Sequence, residues 1–305
     1  MKLKSLLILA VISISLSGCA ALDDPNSRNT EISDEDFFVL ASIPPLHSMA
    51  LNIGGEVAIV ENLLPAGASP HEYSLTPSDL TSLAKADVLI IIGLGMETFL
   101  EDAIISSANP DLVIIDASKG VNLILGNVDE NDSQELTADP HIWLSVHNAK
   151  IMVDNIATGL ATTDPTNAEI YNVNAEAYKQ RLSELDAFIE QQLQSISTHN
   201  FIALHPAWEY FANEYGLTQE AAIEVVPGQE PSAKQMIEII DQIKESDVTT
   251  LFSEPQLSDR VIKTIANDTG LPIHEIDPLG SGTFSETLYE DTMISNAKTF
   301  ATALK

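Results

Sequence analysis

The sequence predicts an α/β protein of two lobes, each a roughly four-stranded parallel sheet flanked by helices, joined by one long connecting helix. Three observations predict this class. Short β-branched apolar runs alternate with helical segments in both halves of the chain, a pattern typical of parallel sheets covered on both faces. Residues 166–205, between the halves, contain neither Gly nor Pro. The 305 residues are 45% hydrophobic, which is enough for two cores of ordinary size.

The start of the chain has the features of an export signal. A basic beginning, an apolar run at 6–16 and then small residues indicate a secretory signal peptide, which we place at residues 1–18. The run ends in Leu-Ser-Gly-Cys, which resembles the lipobox of bacterial lipoproteins and so implies a lipid on Cys19. The alternative is an ordinary cleaved signal that happens to contain a Cys. Residues 19–36 are polar and acidic, which predicts a lipidated flexible tether.

The first lobe is placed at residues 37–163. Four runs in it are continuous and rich in β-branched residues, which predicts strands buried on both faces. These strands are predicted at 37–43, 57–63, 88–92 and 112–115. Helices are predicted near 46–53, 77–86 and 97–107. Thr76, followed by Pro77 and Asp79, is typical of a capped helix start and supports the second of these.

A connecting helix is placed at residues 164–197. Asp164-Pro165 is a favourable N-cap and first-turn pair, and apolar residues keep approximately helical spacing after it. A helix over 166–196 would be roughly 45 Å long at 1.5 Å per residue, long enough to support both lobes. The alternative is two shorter helices with an unmarked break.

The second lobe is placed at residues 198–305, where the same alternation recurs. Strands are predicted near 201–204, 221–226, 248–252 and 271–276. Helices are predicted near 206–215, 232–245, 257–268 and 285–303. Ser258 and Gly270 are typical start and stop signals for the third helix.

The charge balance limits the classes of partner. Asp and Glu number 45 against 14 Lys and Arg, for a formal net charge of −31. Such a balance argues against nucleic acid, which binds clustered Lys and Arg. It suits a cationic ligand, although selection for solubility in a salty habitat would have the same effect. The single Cys excludes an intramolecular disulfide.

Four metal-binding candidates are set apart by their position. In open parallel sheets, ligands collect at the carboxyl ends of the strands. His205 and Asp277 each follow a predicted strand directly, His71 lies in the loop after the second strand, and His141 ends the long loop after the fourth. Each residue alone is more often structural than a ligand, and their wide separation has no local signature, so the prediction depends on topology.

Seven segments resemble those of the zinc- and manganese-specific solute-binding lipoproteins of bacterial ABC importers. The resemblance covers about 37–303 in the family's order. The segments are LLPAGASPHEYSLTPSDL, DPHIWLSVHNAKIM, DPTNAEIYNVNAEAY, ALHPAWEYFANEYGL, GQEPSAKQM, LFSEPQLSD and IHEIDPLG. The resemblance implies two α/β lobes joined by one rigid helix. It implies metal ligands at His71, His141, His205 and Asp277, and an ABC permease in the membrane as partner.

The ligand set bears on which metal is bound. Three imidazoles and one carboxylate suit tetrahedral Zn²⁺, whereas Mn²⁺ favours more oxygen donors, and manganese members of this family carry Glu at the position of His205. Zn²⁺ is therefore the expected ligand, with Mn²⁺ as the alternative. One departure weakens this choice: many zinc members have a His-rich loop in the first lobe, whereas 126–139 is acidic and has no His. We expect that loop to be solvated; weak cation gathering is the alternative.

Neighbouring carboxylates are expected to support the ligands. Asp139, Glu72, Glu230 and Glu254 could accept N–H bonds from ligating imidazoles, although the resemblance favours structural roles for Glu230 and Glu254. A packing role is expected for His47.

The resulting hypothesis is an exported, lipid-anchored, monomeric protein that faces the periplasm or the cell exterior and delivers Zn²⁺ to its permease. The alternatives are a manganese-binding protein of the same importer class, a zinc hydrolase and an adhesin. Catalytic zinc keeps an open position for water, whereas four protein ligands describe a closed site. An enzyme is therefore not expected.

Overall fold

A computed structural model of the chain describes residues 36–125, 138–226 and 228–305. The predicted signal peptide, Cys19 and most of the acidic loop lie outside these ranges. Within them, no helix combines the length and apolar composition needed to cross a bilayer.

The first lobe is a four-stranded parallel sheet with strand order β2-β1-β3-β4. Its interior strand β1 is buried along its whole length, as the continuous apolar run predicts. The strands are β1 (Phe38–Ala41), β2 (Ile59–Asn62), β3 (Val88–Ile91) and β4 (Val113–Asp116). The helices are α1 (Pro44–Gly54), α2 (Pro77–Lys85), α3 (Glu101–Ser106) and α4 (Val146–Thr163), with 3₁₀ turns at Thr98–Leu100 and Ile142–Leu144.

The second lobe repeats this architecture with strand order β6-β5-β7-β8, again all parallel. Its strands are β5 (Asn200–Ala203), β6 (Thr218–Ala222), β7 (Leu251–Ser253) and β8 (Ile273–Glu275). Its helices are α6 (Glu209–Tyr215), α7 (Ala233–Glu245), α8 (Arg260–Thr269) and α9 (Leu288–Ala303). The predicted α/β class is therefore confirmed.

One strand differs clearly from its predicted position. β6 was expected at 221–226 because that stretch is apolar, but the strand occupies Thr218–Ala222, while Val225 and Val226 are exposed beyond its end. β6 is an edge strand with half-exposed side chains. Polar residues are therefore tolerated in it, and a rule based on buried apolar runs misplaces it.

The connecting helix α5 (Ala168–Leu193) is continuous, so the alternative of two shorter helices is wrong. It begins later than predicted, at Ala168, with Asn167 in the N-cap position. The Asp164 carboxylate accepts bonds from the Asn167 side-chain amide and the Tyr171 hydroxyl, both at 2.7 Å. It also accepts bonds from the backbone N–H groups of Thr166 and Asn167 just before the helix. Aromatic and aliphatic side chains along one face of α5 are buried.

The two lobes share one hydrophobic core. A single cluster of buried apolar residues includes Val39 of β1, Tyr178 of α5, Phe201 of β5 and Phe300 of α9. A second, smaller cluster packs β5 and β7 against α8 and includes Ile202, Leu251 and Ile262. Because the larger cluster is continuous through α5 and α9, the lobes form one packed body within the described residues.

Candidate metal centre

Three histidines from both lobes converge where the two sheets present their carboxyl ends. His71 lies in the loop between β2 and α2, His141 immediately precedes the 3₁₀ turn that leads to α4, and His205 follows β5. One ring nitrogen of each can be chosen so that all three lie within 4.8 Å of one another. The ring centroids are 5.1 Å apart for His141 and His205, 5.6 Å for His71 and His141, and 5.8 Å for His71 and His205.

Buried carboxylates orient two of these imidazoles. The Nδ1 atom of His141 lies 2.7 Å from Asp139 Oδ1, and the Nδ1 atom of His205 lies 2.6 Å from Glu254 Oε2. Each carboxylate accepts the Nδ1 proton, so the lone pair of a neutral ring is left on Nε2. Glu254 is held in turn by the indole N–H of Trp208 at 3.2 Å.

The two Nε2 atoms face each other at a distance that suits a shared cation. The Nε2 atoms of His141 and His205 are 3.3 Å apart. Two Zn–N bonds of about 2.0–2.1 Å at a tetrahedral angle would place the nitrogens about 3.3–3.4 Å apart. Two opposed lone pairs at this distance repel unless a proton or a metal ion lies between them. The separation of the two nitrogen atoms therefore fits two ligands of one Zn²⁺ ion.

His71 completes the triad at the more exposed side. Desolvation of its ring, followed by the proximity of His141 and His205, lowers the pKa of His71 to about 3. At neutral pH the ring is therefore uncharged, and an uncharged imidazole is the form that binds a metal.

Asp277, the fourth predicted ligand, is not part of this triad. It follows β8 as expected, but its carboxylate is engaged elsewhere. Oδ1 accepts bonds from the Gln256 side chain at 2.7 Å and from Gly280 N at 2.9 Å, and Oδ2 accepts one from the Ser281 hydroxyl. Its role as a ligand remains a prediction.

The wall of the cavity around the triad is largely apolar and comes from both lobes. It includes Ile43, Pro44, Leu64, Trp143 and Leu279. The indole N–H of Trp143 donates across the lobes to the Pro278 carbonyl at 2.9 Å. A low-dielectric wall strengthens the attraction between the donors and a cation.

The supporting carboxylates follow the prediction in part. Asp139 and Glu254 do bond the imidazoles, as was expected to be possible for this set of carboxylates, so Glu254 contacts His205 directly in addition to the structural role that the resemblance favours. Glu230 instead pairs with Arg260 on the surface, with an Nε–Oε1 distance of 2.9 Å. Glu72 lies across the cleft against Gly228, where an added Cβ atom would come within 2.2 Å of its Oε1.

Sequence reasoning missed Gln256 and Trp143 as cavity residues. Gln256 follows β7. The rule that ligands collect at the carboxyl ends of strands, which identified His205, could therefore have identified Gln256 as well. Trp143 has no comparable signal, because its place depends on a contact with Pro278 of the other lobe, 135 residues further along the chain.

Comparisons with known proteins bear on these findings. Residues 39–303 match the family described as zinc-uptake complex component A, periplasmic. The chain is 32% identical to the manganese-binding lipoprotein MntA of Halalkalibacterium halodurans, over 97% of both chains. It is 27% identical to the high-affinity zinc uptake system protein ZnuA of Bacillus subtilis, over 91% of this chain and 89% of that protein. A crystal structure of ZnuA superimposes with a TM-score of 0.78 at 32% identity, covering 89% of this chain and all of that one.

Proposed function

This chain belongs to the family of the periplasmic zinc-uptake complex component A, and on that premise we propose that it captures Zn²⁺ outside the cytoplasm and delivers it to an ABC permease. The observation that carries the proposal is the triad His71, His141 and His205, whose donor atoms lie within 4.8 Å of one another. Its relatives include one protein named as part of a zinc uptake system and one named as a manganese-binding lipoprotein. We further propose a lipid anchor on Cys19 and a monomeric chain.

Capture follows from the chemistry of the donors. The net charge of −31 attracts a divalent cation to the cleft. The Nε2 atoms of His141 and His205, held by Asp139 and Glu254, replace part of the water shell of the ion. His71 supplies a third nitrogen, and Asp277 is proposed as the fourth donor. With four protein donors no position is left for a reacting water molecule, which favours a binding protein over a zinc hydrolase.

Manganese is the second candidate cargo, because the Halalkalibacterium relative named above is a manganese-binding lipoprotein. Three nitrogen donors favour Zn²⁺ in this chain. Competition between the two ions on the purified protein decides between them.

The test is metal binding by the purified protein and by His141→Ala. We expect the protein to bind one Zn²⁺ ion more tightly than Mn²⁺, because the nitrogen donors suit zinc. Loss of His141 should weaken zinc binding at least about 100-fold, since it removes one of the donors. Elemental analysis measures the number of zinc ions bound, and chelator competition measures the affinities for Zn²⁺ and Mn²⁺.

His147→Ala is the matched control, because His147 is an exposed histidine six residues further on. It should leave the affinity unchanged. Stoichiometric zinc binding by His141→Ala with wild-type affinity would overturn the ligand assignment, and an absence of metal binding by the intact protein would overturn the function.

A further inference from the structure

The side chain of Gln256 links the histidine cavity to the predicted fourth ligand. Gln256 follows β7 and lines the cavity together with His71, His141 and His205. Its Nε2 atom donates to Asp277 Oδ1 at 2.7 Å. Its Oε1 atom is buried without a hydrogen-bond partner among the described residues. A buried polar atom in this condition is uncommon and requires an explanation.

The backbone around Asp277 is held more firmly than its side chain. Asn296 of α9 bonds the Asp277 main chain on both sides, accepting from its N–H at 2.9 Å and donating to its carbonyl at 2.7 Å. The carboxylate, by contrast, is held by Gln256 and by the loop residues Gly280 and Ser281. A change in the position of the carboxylate therefore requires a side-chain rotation that gives up these bonds.

Gln256 also fits closely against the loop that carries these donors. A Cβ atom on Gly280 would lie 2.7 Å from Gln256 Nε2, so a larger residue at this position would require the Gln256 side chain to shift. The Gly280 carbonyl accepts a bond at 2.6 Å from the N–H of Gly67, which belongs to the loop that carries His71. The amide of Gln256 thus lies against the loop of Gly280, which in turn bonds the loop that carries His71.

We propose that Gln256 is a positioning residue that holds the Asp277 carboxylate away from the histidine triad and releases it when a metal ion arrives. This inference rests on the proposed function. Asp277 Oδ1 accepts bonds from both Gln256 and Gly280, which use both of its lone pairs, so this oxygen can coordinate a metal ion only if one of these bonds is given up. Gln256 therefore lowers the metal affinity of the site and eases release of the ion.

The experiment measures Zn²⁺ affinity by chelator competition for Gln256→Met, which keeps the length of the side chain and removes the donor. We expect about tenfold tighter binding, as loss of one hydrogen bond to a charged group implies. Ser281→Ala removes a donor to the other carboxylate oxygen and should also tighten binding. Gln242→Met, which alters an exposed glutamine of α7, should leave the affinity unchanged.

The same measurement in an Asp277→Ala background separates this role from a general structural one. If Gln256 acts through Asp277, the tenfold gain disappears in that background. Unchanged or weaker binding by Gln256→Met, or a gain that persists without Asp277, would overturn the inference while the proposed function stands. Failure of the wild-type protein to bind Zn²⁺ would overturn both.

Discussion

At the scale of single residues, hydrogen bonds decide which form each buried histidine takes. Asp139 and Glu254 direct the lone pairs of His141 and His205 toward each other. His47, outside the metal centre, has no such carboxylate partner. Its Nδ1 atom is buried without a hydrogen-bond partner among the described residues. Its ring packs on Phe284 at a centroid distance of 5.1 Å, as the expected packing role requires.

His47 predicts a pH-dependent contribution to stability. Burial lowers the pKa of His47 from 6.5 to about 4, against the opposing effect of a bond to the Val60 backbone. The unfolded chain therefore binds more protons than the folded chain between about pH 6.5 and pH 4. Stability from this residue is present above pH 6.5 and is lost as the pH falls toward 4. The loss between pH 7.5 and pH 5 amounts to about 2 kcal/mol.

Denaturant unfolding of the metal-free protein at pH 7.5 and pH 5 measures this contribution. His47→Leu should make the stability difference between the two pH values about 2 kcal/mol smaller than in the wild type. His199→Leu, which changes an exposed histidine, is the control. An equal difference in wild type and His47→Leu would contradict the prediction.

At the scale of elements, the loop that carries His71 is anchored by the start of α2. Asp79 accepts bonds from the Thr76 N–H at 2.6 Å and from the Tyr73 hydroxyl at 2.8 Å. The Thr76 hydroxyl in turn accepts a bond from Asp79 N at 3.4 Å. The predicted helix start is therefore confirmed as a reciprocal capping box, and it fixes the far end of the loop.

Thr76→Ala should lower the free energy of unfolding by about 1 kcal/mol, because it leaves a helix N–H of α2 without its acceptor. Denaturant unfolding measures this loss. Thr302→Ala is the matched control, since the Thr302 hydroxyl is exposed and bonds only the preceding turn of its own helix, at Lys298 O. A loss in the control equal to that in Thr76→Ala would show that the cap contributes nothing specific.

At the scale of the whole molecule, the lobes are joined by more than the connecting helix. The Tyr289 hydroxyl donates to the Trp143 carbonyl at 2.7 Å, and the Trp143 indole donates to the Pro278 carbonyl at 2.9 Å. Ser48 and Asn52 of α1 both donate to the Glu286 carbonyl, at 3.0 and 2.7 Å. With the shared core, these bonds oppose a wide hinge motion.

Metal binding should therefore change loops rather than the separation of the lobes. We expect the radius of gyration from solution scattering to be the same, within error, for the metal-free and zinc-loaded protein. Zinc loading should still raise the melting temperature, because the ion binds the folded state. A marked decrease in size on adding zinc would show that the lobes close as rigid bodies.

The sequence determined most of what depends on local pattern. Apolar runs and breaks placed seven of the eight strands close to their observed positions. The expected burial on both faces holds for β1, β3 and β7 along nearly their whole length, whereas β2, β4 and β8 are partly exposed. The edge strand β6 was misplaced because it begins with polar residues and all of its side chains are at least partly exposed. Strand ends and family resemblance together selected His71, His141 and His205, and the structure brings these three together.

Only the tertiary structure decided how the donors are oriented. Which carboxylate holds which imidazole, and that Asp277 is hydrogen-bonded to Gln256 outside the triad, depend on how the loops at the strand ends of each lobe pack. Residues 64 positions apart, such as His141 and His205, acquire their distance from the shared core and not from their spacing along the chain. Local periodicity contains no information on such contacts, whereas hydrogen-bond and coordination geometry depend on differences of a few tenths of an ångström.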